Sequence, residues 1–240
     1  MTYFRLNGNV KIPIITIGTS PFIGAGQFGA RGYRWRQKFL NNPELMSELM
    51  IKANKYGATG VEMIPIGKIP EAVNLVRKKF PNYVVLSSTH WSKVDIEFLA
   101  TDCSSALIFL HGNLSDQRNS QLINSYLEQI RNYNIIPGIA THEPLKTLNF
   151  VFHEEIKCQV FLIPFNKAGY FMKNQKKLEK IIDNSSRKFI AMKSLAAGKL
   201  NPRDAFEYLA SHNISGVSVG LISHKEIKET VPAALEALTK

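Results

Sequence analysis

The sequence predicts a (β/α)8 barrel, or TIM barrel, with a short N-terminal β-hairpin, and it predicts that residues 1–240 form a single domain. The chain is long enough for one large core, since 45% of its 240 residues are hydrophobic. Apolar runs alternate with segments of helical period at a spacing of roughly 25 to 30 residues. Such alternation is typical of a parallel sheet, and eight units in a chain of this length fit a closed barrel.

The alternative architecture is a doubly wound open sheet. Its first strand is usually followed by a glycine-rich phosphate-binding turn that leads directly into a helix. The segment "GTSPFIGAGQFG" has the glycines, but no helical pattern begins promptly after it. The spacing therefore favours the barrel.

The chain begins with a hairpin and a strand. Asn7-Gly8 is a strong turn signal between two short apolar runs, which predicts strands over Tyr3–Leu6 and Val10–Pro13. The first barrel strand follows at Ile14–Gly18. Residues 20–41 are rich in glycine and arginine and show no clear period, so we expect a long functional loop there.

The rest of the chain alternates regularly between strands and helices. The predicted strands are Val61–Ile64, Val84–Ser87, Leu107–Leu110, Ile135–Ile139, Val160–Ile163, Phe189–Met192 and Val217–Gly220. The predicted helices are Pro43–Lys55, Pro70–Phe80, Val94–Ala100, Ser115–Tyr133, Pro144–Phe152, Gln175–Asn184, Pro202–Ser211 and a last helix that starts at Ser223.

Composition narrows the class of protein. No apolar run is long enough to span a membrane, and two distant cysteines fit reduced thiols, so we expect a cytoplasmic protein. The net charge is +11, but the sequence shows no basic stripe and no known nucleic-acid-binding module, so we do not expect nucleic acid as a partner. The segment "ARGYRWRQK" mixes arginine with aromatic residues, which favours a small and anionic substrate.

Histidine follows three of the predicted strands. His90, His111 and His142 stand at the ends of the third, fourth and fifth barrel strands, and Glu62 lies at the end of the second. Because the active site of such a barrel lies at the carboxyl ends of its strands, we expect these four side chains to converge as catalytic residues. The remaining strand ends carry Gly18-Thr19, Asn166-Lys167, Lys193-Ser194 and Gly220.

Several segments resemble the aldo-keto reductase superfamily. The opening "IITIGTSPF", the sixth strand "FLIPFN", the seventh-strand segment "FIAMKSLAAGKL" and the C-terminal "ISGVSVGLISHKEIKET" are similar to the corresponding parts of that family. The resemblance implies an NADP-dependent oxidoreductase. It also implies that these segments hold the cofactor, through Gly18, Thr19, Phe165, Asn166, Lys193, Ser194, Gly220, Ser223 and Lys225.

The last of these segments has a chemistry that suits a phosphate group. Ser223 and Glu226 have the spacing of a capping box. The free N–H groups and the dipole of a helix start attract anions, and His224 and Lys225 add positive charge.

The reaction centre departs from the family pattern of Asp, Tyr, Lys and His. Glu62 stands in place of the Asp without a following Tyr, and His90 stands in place of the Lys. Only His111 matches, and Thr141-His142 replaces the Ser-Asn pair that the family offers to the nicotinamide amide.

Three functions remain open on this evidence. In the first, an NADP-dependent oxidoreductase uses His90 or His111 as the general acid, with Glu62 holding His90 in its protonated form. In the second, Glu62, His90, His111 and His142 bind Zn²⁺, Mn²⁺ or Fe²⁺ in a hydrolase, lyase or isomerase. In the third, the barrel binds a ligand without catalysis.

Overall fold

A computed structural model describes residues 2–7 and 9–239 and confirms the barrel and the hairpin. The hairpin strands are β1 (Tyr3–Leu6) and β2 (Val10–Pro13). The barrel strands are β3 (Ile15–Gly18), β4 (Gly60–Met63), β5 (Val84–Ser88), β6 (Leu107–Leu110), β7 (Ile136–Ala140), β8 (Val160–Pro164), β9 (Lys188–Met192) and β10 (Gly216–Val219). Each barrel strand pairs in parallel with the next, and β10 pairs with β3 to close the ring.

Helices surround the barrel. A 3-10 helix, Gly26–Phe28, precedes α1 (Ala30–Phe39), α2 (Pro43–Lys55), α3 (Ile69–Lys79), α4 (Ile96–Ala100), α5 (Gly112–Ser115), α6 (Ser120–Asn132), α7 (Pro144–His153), α8 (Gln175–Asp183), α9 (Pro202–Ala210) and α10 (His224–Leu238). Within the described ranges, none of these helices combines the length and the apolar character that crossing a membrane requires.

The core has two layers. The larger one lies between the strands and the helices, and a smaller one fills the barrel interior. Leu6 and Ile12 of the hairpin belong to the inner layer, where they pack with Phe109 and Ile136. The hairpin therefore closes the end of the barrel at which the strands begin. Asn7 has a positive φ of 46°, as a tight turn requires, while Gly8 of the predicted turn lies outside the described residues.

Two sequence predictions need correction. Residues 20–41 are not a loop throughout, because α1 occupies the second half of the segment. Its helical pattern was hidden by arginine and lysine, while Phe39 alone supplies a large buried apolar side chain. The helix predicted over Ser115–Tyr133 starts only at Ser120, and the short α5 precedes it, since Arg118 has a φ of 53° and Asn119 caps α6 by accepting a hydrogen bond from the Leu122 N–H.

Candidate active site

A cavity of about 650 Å³ opens at the carboxyl ends of the strands, and we call it the mouth cavity. Side chains from separate strand ends line it, among them Glu62, His111, His142 and Lys193. The cavity extends to the first turns of α10, where Glu226 and Glu229 form part of its wall. Its size suits a small-molecule ligand.

Glu62 is a buried carboxyl group in the wall of this cavity. The side chain is 6% exposed, and its Oε1 accepts a hydrogen bond of 2.8 Å from Ser88 Oγ. Burial raises the pKa of Glu62 to about 7, although the hydrogen bond from Ser88 opposes the rise. Near neutral pH this carboxyl group can therefore donate a proton.

His111 is held as a neutral imidazole. Its Nδ1 accepts a hydrogen bond of 3.1 Å from the Asn113 N–H, which caps α5. Burial and the neighbouring His142 lower the pKa of His111 to about 4. With Nδ1 occupied as an acceptor, the ring proton lies on Nε2. His111 is thus a hydrogen-bond donor at neutral pH rather than an acid.

His142 is also neutral and has an unused ring nitrogen. Its imidazole lies 5.3 Å from that of His111, measured between ring centroids. Burial and the charge of Lys193 lower its pKa. Its Nδ1 is buried and has no hydrogen-bond partner within residues 2–7 and 9–239, so a bound ligand can satisfy it.

Asp116 fixes the segment that carries His142. The carboxylate accepts hydrogen bonds from Thr141 Oγ1, from Thr147 Oγ1 at 2.7 Å and from the His142 N–H at 2.8 Å. Three donors on one carboxylate hold the end of β7 in place. Thr141 is committed to this network, so it does not offer its hydroxyl to a ligand.

Lys193 brings a positive charge to the mouth cavity. The residue has a φ of 57°, and its Nζ lies 4.1 Å from the centroid of the Phe171 ring. Burial lowers the pKa of Lys193 to about 8, which leaves the amine mostly protonated at neutral pH.

His90 is not part of the cavity wall that its position predicted. Its Nδ1 accepts hydrogen bonds from the backbone N–H groups of Ser92 and Lys93, at 3.1 and 3.3 Å. The ring stacks on Trp91 at 4.3 Å between centroids, and it is Trp91 that lines the cavity, 5.6 Å from His111. The Glu62 carboxyl group accepts its hydrogen bond from Ser88, so it does not hold His90 as the sequence predicted.

The predicted cofactor residues separate into two groups. Lys193, Ser194 and Gly220 line the mouth cavity. The others are not among the residues that line it. The Phe165 ring stacks on Tyr208 at 5.3 Å between centroids, and the Asn166 side chain bonds the backbone of Tyr170.

Gly18 and Thr19, at the end of the first barrel strand β3, support the site and do not line the cavity as expected. Thr19 Oγ1 donates to the Glu62 carbonyl and accepts from the Ile64 N–H. Gly18 lies so close to β10 that an added Cβ would come within 2.8 Å of Ser218 Oγ. Both residues position Glu62 and the strand ends, and neither is among the residues of the cavity wall.

At the start of α10, the side chains of Ser223 and Glu226 accept the hydrogen bonds that a bound phosphate would otherwise accept. Ser223 Oγ accepts from the Glu226 N–H at 3.2 Å, and the Glu226 carboxylate accepts from the Ile222 N–H at 2.8 Å. Lys225 is exposed and is absent from the cavity wall. The His224 imidazole lies 3.1 Å from Glu48 of α2. The expected phosphate site thus presents carboxylates to the cavity.

The proposed metal ligands do not form a metal site. No group of three or more His, Cys, Asp or Glu side chains in the described part of the chain has the arrangement that a metal ion needs. His90 lies outside the cavity wall and uses its Nδ1 on the backbone, and Glu62 is bonded to Ser88. The metal-dependent alternative is therefore not supported.

Some of the cavity wall was missed or only partly foreseen. Ser88 carried no distinct signal in the sequence, and Trp91 had none beyond its place next to His90. Arg31 and Trp35 of the basic aromatic segment do line the cavity, and the Arg31 guanidinium donates to the Ala197 carbonyl at 3.2 Å. This bond links α1 to the loop that follows β9.

Solved structures with the same architecture cover nearly the whole chain. A protein of Pseudomonas aeruginosa described as an aldo-keto reductase superposes with a TM-score of 0.73 at 17% identity, over 98% of this chain and 96% of that one. The fold is that of the aldo-keto reductases. A thermostable aldo-keto reductase in complex with the inhibitor epalrestat matches with a TM-score of 0.70 at 14% identity, over 100% and 98% of the two chains.

A third aldo-keto reductase, from Bacillus halodurans in its holo form, has a TM-score of 0.66 at 11% identity, over 100% of this chain and 94% of that one. No family model and no curated protein matches the sequence. At these identities the likeness to aldo-keto reductases concerns the fold, and the side chains of the mouth cavity must carry any argument about function.

The aldo-keto reductase fold implies a nicotinamide dinucleotide cofactor. The mouth cavity fits the nicotinamide of such a cofactor better than it fits an additional phosphate group at the other end. The unpartnered Nδ1 of His142 suits a ligand amide such as that of nicotinamide. At the other end of the wall, Glu226 and Glu229 suit hydroxyl and amino donors. Two carboxylates would repel an additional phosphate group at that end.

Proposed function

We propose that this protein is an aldo-keto-reductase-like oxidoreductase that reduces a carbonyl group with a nicotinamide dinucleotide. The observation that carries the proposal is the pairing, in one cavity, of a proton-donating carboxyl group at Glu62 with a neutral imidazole donor at His111. Carbonyl reduction needs a proton donor for the forming alcohol and a hydrogen bond that orients the carbonyl.

The residues divide the work as their environments allow. His111 Nε2–H donates to the carbonyl oxygen and orients it. Glu62 then transfers its proton to that oxygen as negative charge develops, and Ser88 keeps the carboxyl group in place. A bound reduced nicotinamide supplies the hydride. Trp91 and Trp35 form apolar parts of the wall that exclude water. Arg31 favours substrates that carry an anionic group.

Binding of the cofactor can be tested by fluorescence. Both tryptophans of the chain, Trp35 and Trp91, line the mouth cavity, so a dinucleotide bound there should quench the intrinsic emission. We expect saturable quenching by NADH. An unchanged emission spectrum at millimolar NADH and NADPH would contradict the proposal and would leave a barrel that binds some other ligand.

The cofactor preference follows from the carboxylates of α10. The resemblance pointed to NADP. Glu226 and Glu229 instead favour a ribose with a free 2′-hydroxyl, because a carboxylate can accept a hydrogen bond from that hydroxyl. We expect NADH to bind at least roughly tenfold more tightly than NADPH. Glu226→Gln should reduce the difference in affinity between NADH and NADPH. Glu236→Gln alters an exposed carboxylate on the same helix and should leave that difference unchanged. Tighter binding of NADPH to the native chain would refute this preference.

The pH dependence of reduction should report Glu62. Its proton is present below about pH 7 and is lost above it, since burial raises its pKa to about 7. We expect kcat/KM for reduction of an aldehyde to be level on the acid side and to fall about tenfold per pH unit on the alkaline side. Glu62→Gln should abolish this alkaline fall in whatever activity remains. A profile that stays flat to pH 9 in the native protein would exclude Glu62 as the donor.

A further inference from the structure

A second cavity lies at the opposite end of the barrel, where the strands begin. It has a volume of about 590 Å³ and lies beside the hairpin and the starts of β7, β8 and β9. We call it the basal cavity. Its wall contains five cationic side chains, namely Arg5, Arg131, Lys157, Arg187 and Lys188.

These positive charges are poorly compensated. Within the described ranges, Glu128 is the one carboxylate in ion-pairing contact with any of the five, at 3.1 Å from Arg131. None of the residues in the wall of the basal cavity is acidic. Like charges gathered around a concave surface repel one another, and a bound anion would relieve that repulsion.

Two of the cations are held in place by the backbone. Arg131 Nη2 donates to the Lys157 carbonyl, and Arg187 Nη1 donates to the carbonyl of Cys158. The Arg187 guanidinium also lies over the Phe152 ring, 5.5 Å from its centroid. Each guanidinium retains further N–H groups for a ligand. Side chains anchored in this way lose little conformational entropy when they bind.

From this arrangement we infer that the basal cavity binds a multiply charged phosphate-type anion. Five cations exceed what a carboxylate or a single chloride would need, and planar guanidinium groups match the geometry of phosphate oxygens. The site is separate from the mouth cavity, so its occupation does not depend on the proposed reductase function. It also gives a role to part of the +11 net charge, which the mouth cavity leaves unexplained.

Inorganic pyrophosphate is the probe for this site. Calorimetric titration of the full chain should show saturable binding below about 1 mM, weakening as salt is added. The double variant Lys157→Gln/Lys188→Gln should weaken binding by at least roughly tenfold. The control is Lys176→Gln/Lys177→Gln, which removes the same charge from the exposed face of α8 and should leave binding unchanged.

Two results would overturn the inference. One is the absence of saturable pyrophosphate binding to the native chain. The other is an equal loss of affinity in the α8 control, because binding would then follow net charge rather than this cavity. If the double variant fails to fold, as judged by circular dichroism, Arg187→Lys takes its place. This variant keeps the charge but loses the planar fork, so it should still weaken binding, and unchanged affinity would count against the site.

Discussion

Replacing Glu62 by glutamine is expected to lower kcat for aldehyde reduction by a factor of about 10² to 10⁴. The amide keeps the size of the side chain and can still accept the hydrogen bond from Ser88 Oγ. It cannot deliver a proton to the substrate oxygen. Steady-state kinetics with NADH and a panel of aromatic and aliphatic aldehydes would measure the effect, and NADH affinity should be little changed.

The same substitution should make the protein more stable at alkaline pH. The pKa of Glu62 is raised from an ordinary value of 4.5 to about 7, so the folded state retains a proton that the unfolded chain has lost. Above pH 7 the buried carboxylate costs roughly 3 kcal/mol of folding stability. We expect Glu62→Gln to remove this cost at pH 8 and to change little below pH 4.5.

Chemical denaturation at the two pH values would test this, with Glu207→Gln as a control for an exposed carboxylate on α9. Lower activity together with higher stability would indicate that Glu62 is needed for function although it lowers the stability of the folded state. A Glu62→Gln protein that is as active as the native one would show that the proton comes from elsewhere.

Replacing Asp116 by alanine should have the largest effect on stability, about 3 kcal/mol or more. The carboxylate accepts three hydrogen bonds, from Thr141, Thr147 and the backbone of His142. Removing it leaves these donors without a partner at the end of β7. We expect a lower midpoint in urea unfolding and, because His142 is released, weaker binding of NADH.

Asp102→Ala provides the matched comparison, since Asp102 is exposed and accepts a hydrogen bond from the hydroxyl of the adjacent Thr101. Its effect should stay within about 0.5 kcal/mol. Equal destabilisation by the two substitutions would mean that the Asp116 network contributes no more than an ordinary surface interaction.

The barrel could be predicted from sequence because parallel strands that are buried on both faces consist of short apolar runs. The same logic placed Glu62, His111 and His142 at the mouth, since the two histidines follow such runs and Glu62 lies in the last half of one. It failed for His90, because β5 ends at Ser88 and the next residues turn back, giving His90 backbone donors as partners. Trp91 takes the place in the cavity wall instead.

The chemical roles were harder to predict than the positions. An imidazole with an ordinary pKa is a good acid near neutral pH, so the sequence favoured histidine as the proton donor. Burial reverses this order, lowering the pKa of His111 to about 4 and raising that of Glu62 to about 7. Burial depends on the packing of distant segments and cannot be inferred from local pattern. Phe165 illustrates the same limit, because its partner Tyr208 lies on α9.

The closure of the ring between β3 and β10 has a consequence for biosynthesis. Thr16 Oγ1 donates to the Val217 carbonyl across a sequence separation of 201 residues. During translation β3 therefore emerges early and keeps one edge unpaired until β10 has left the ribosome. A partly made barrel with an open strand edge is prone to pair with other chains. The slowest and most aggregation-sensitive stage of folding should thus be the final pairing of β3 with β10, well after the individual strand–helix units have formed.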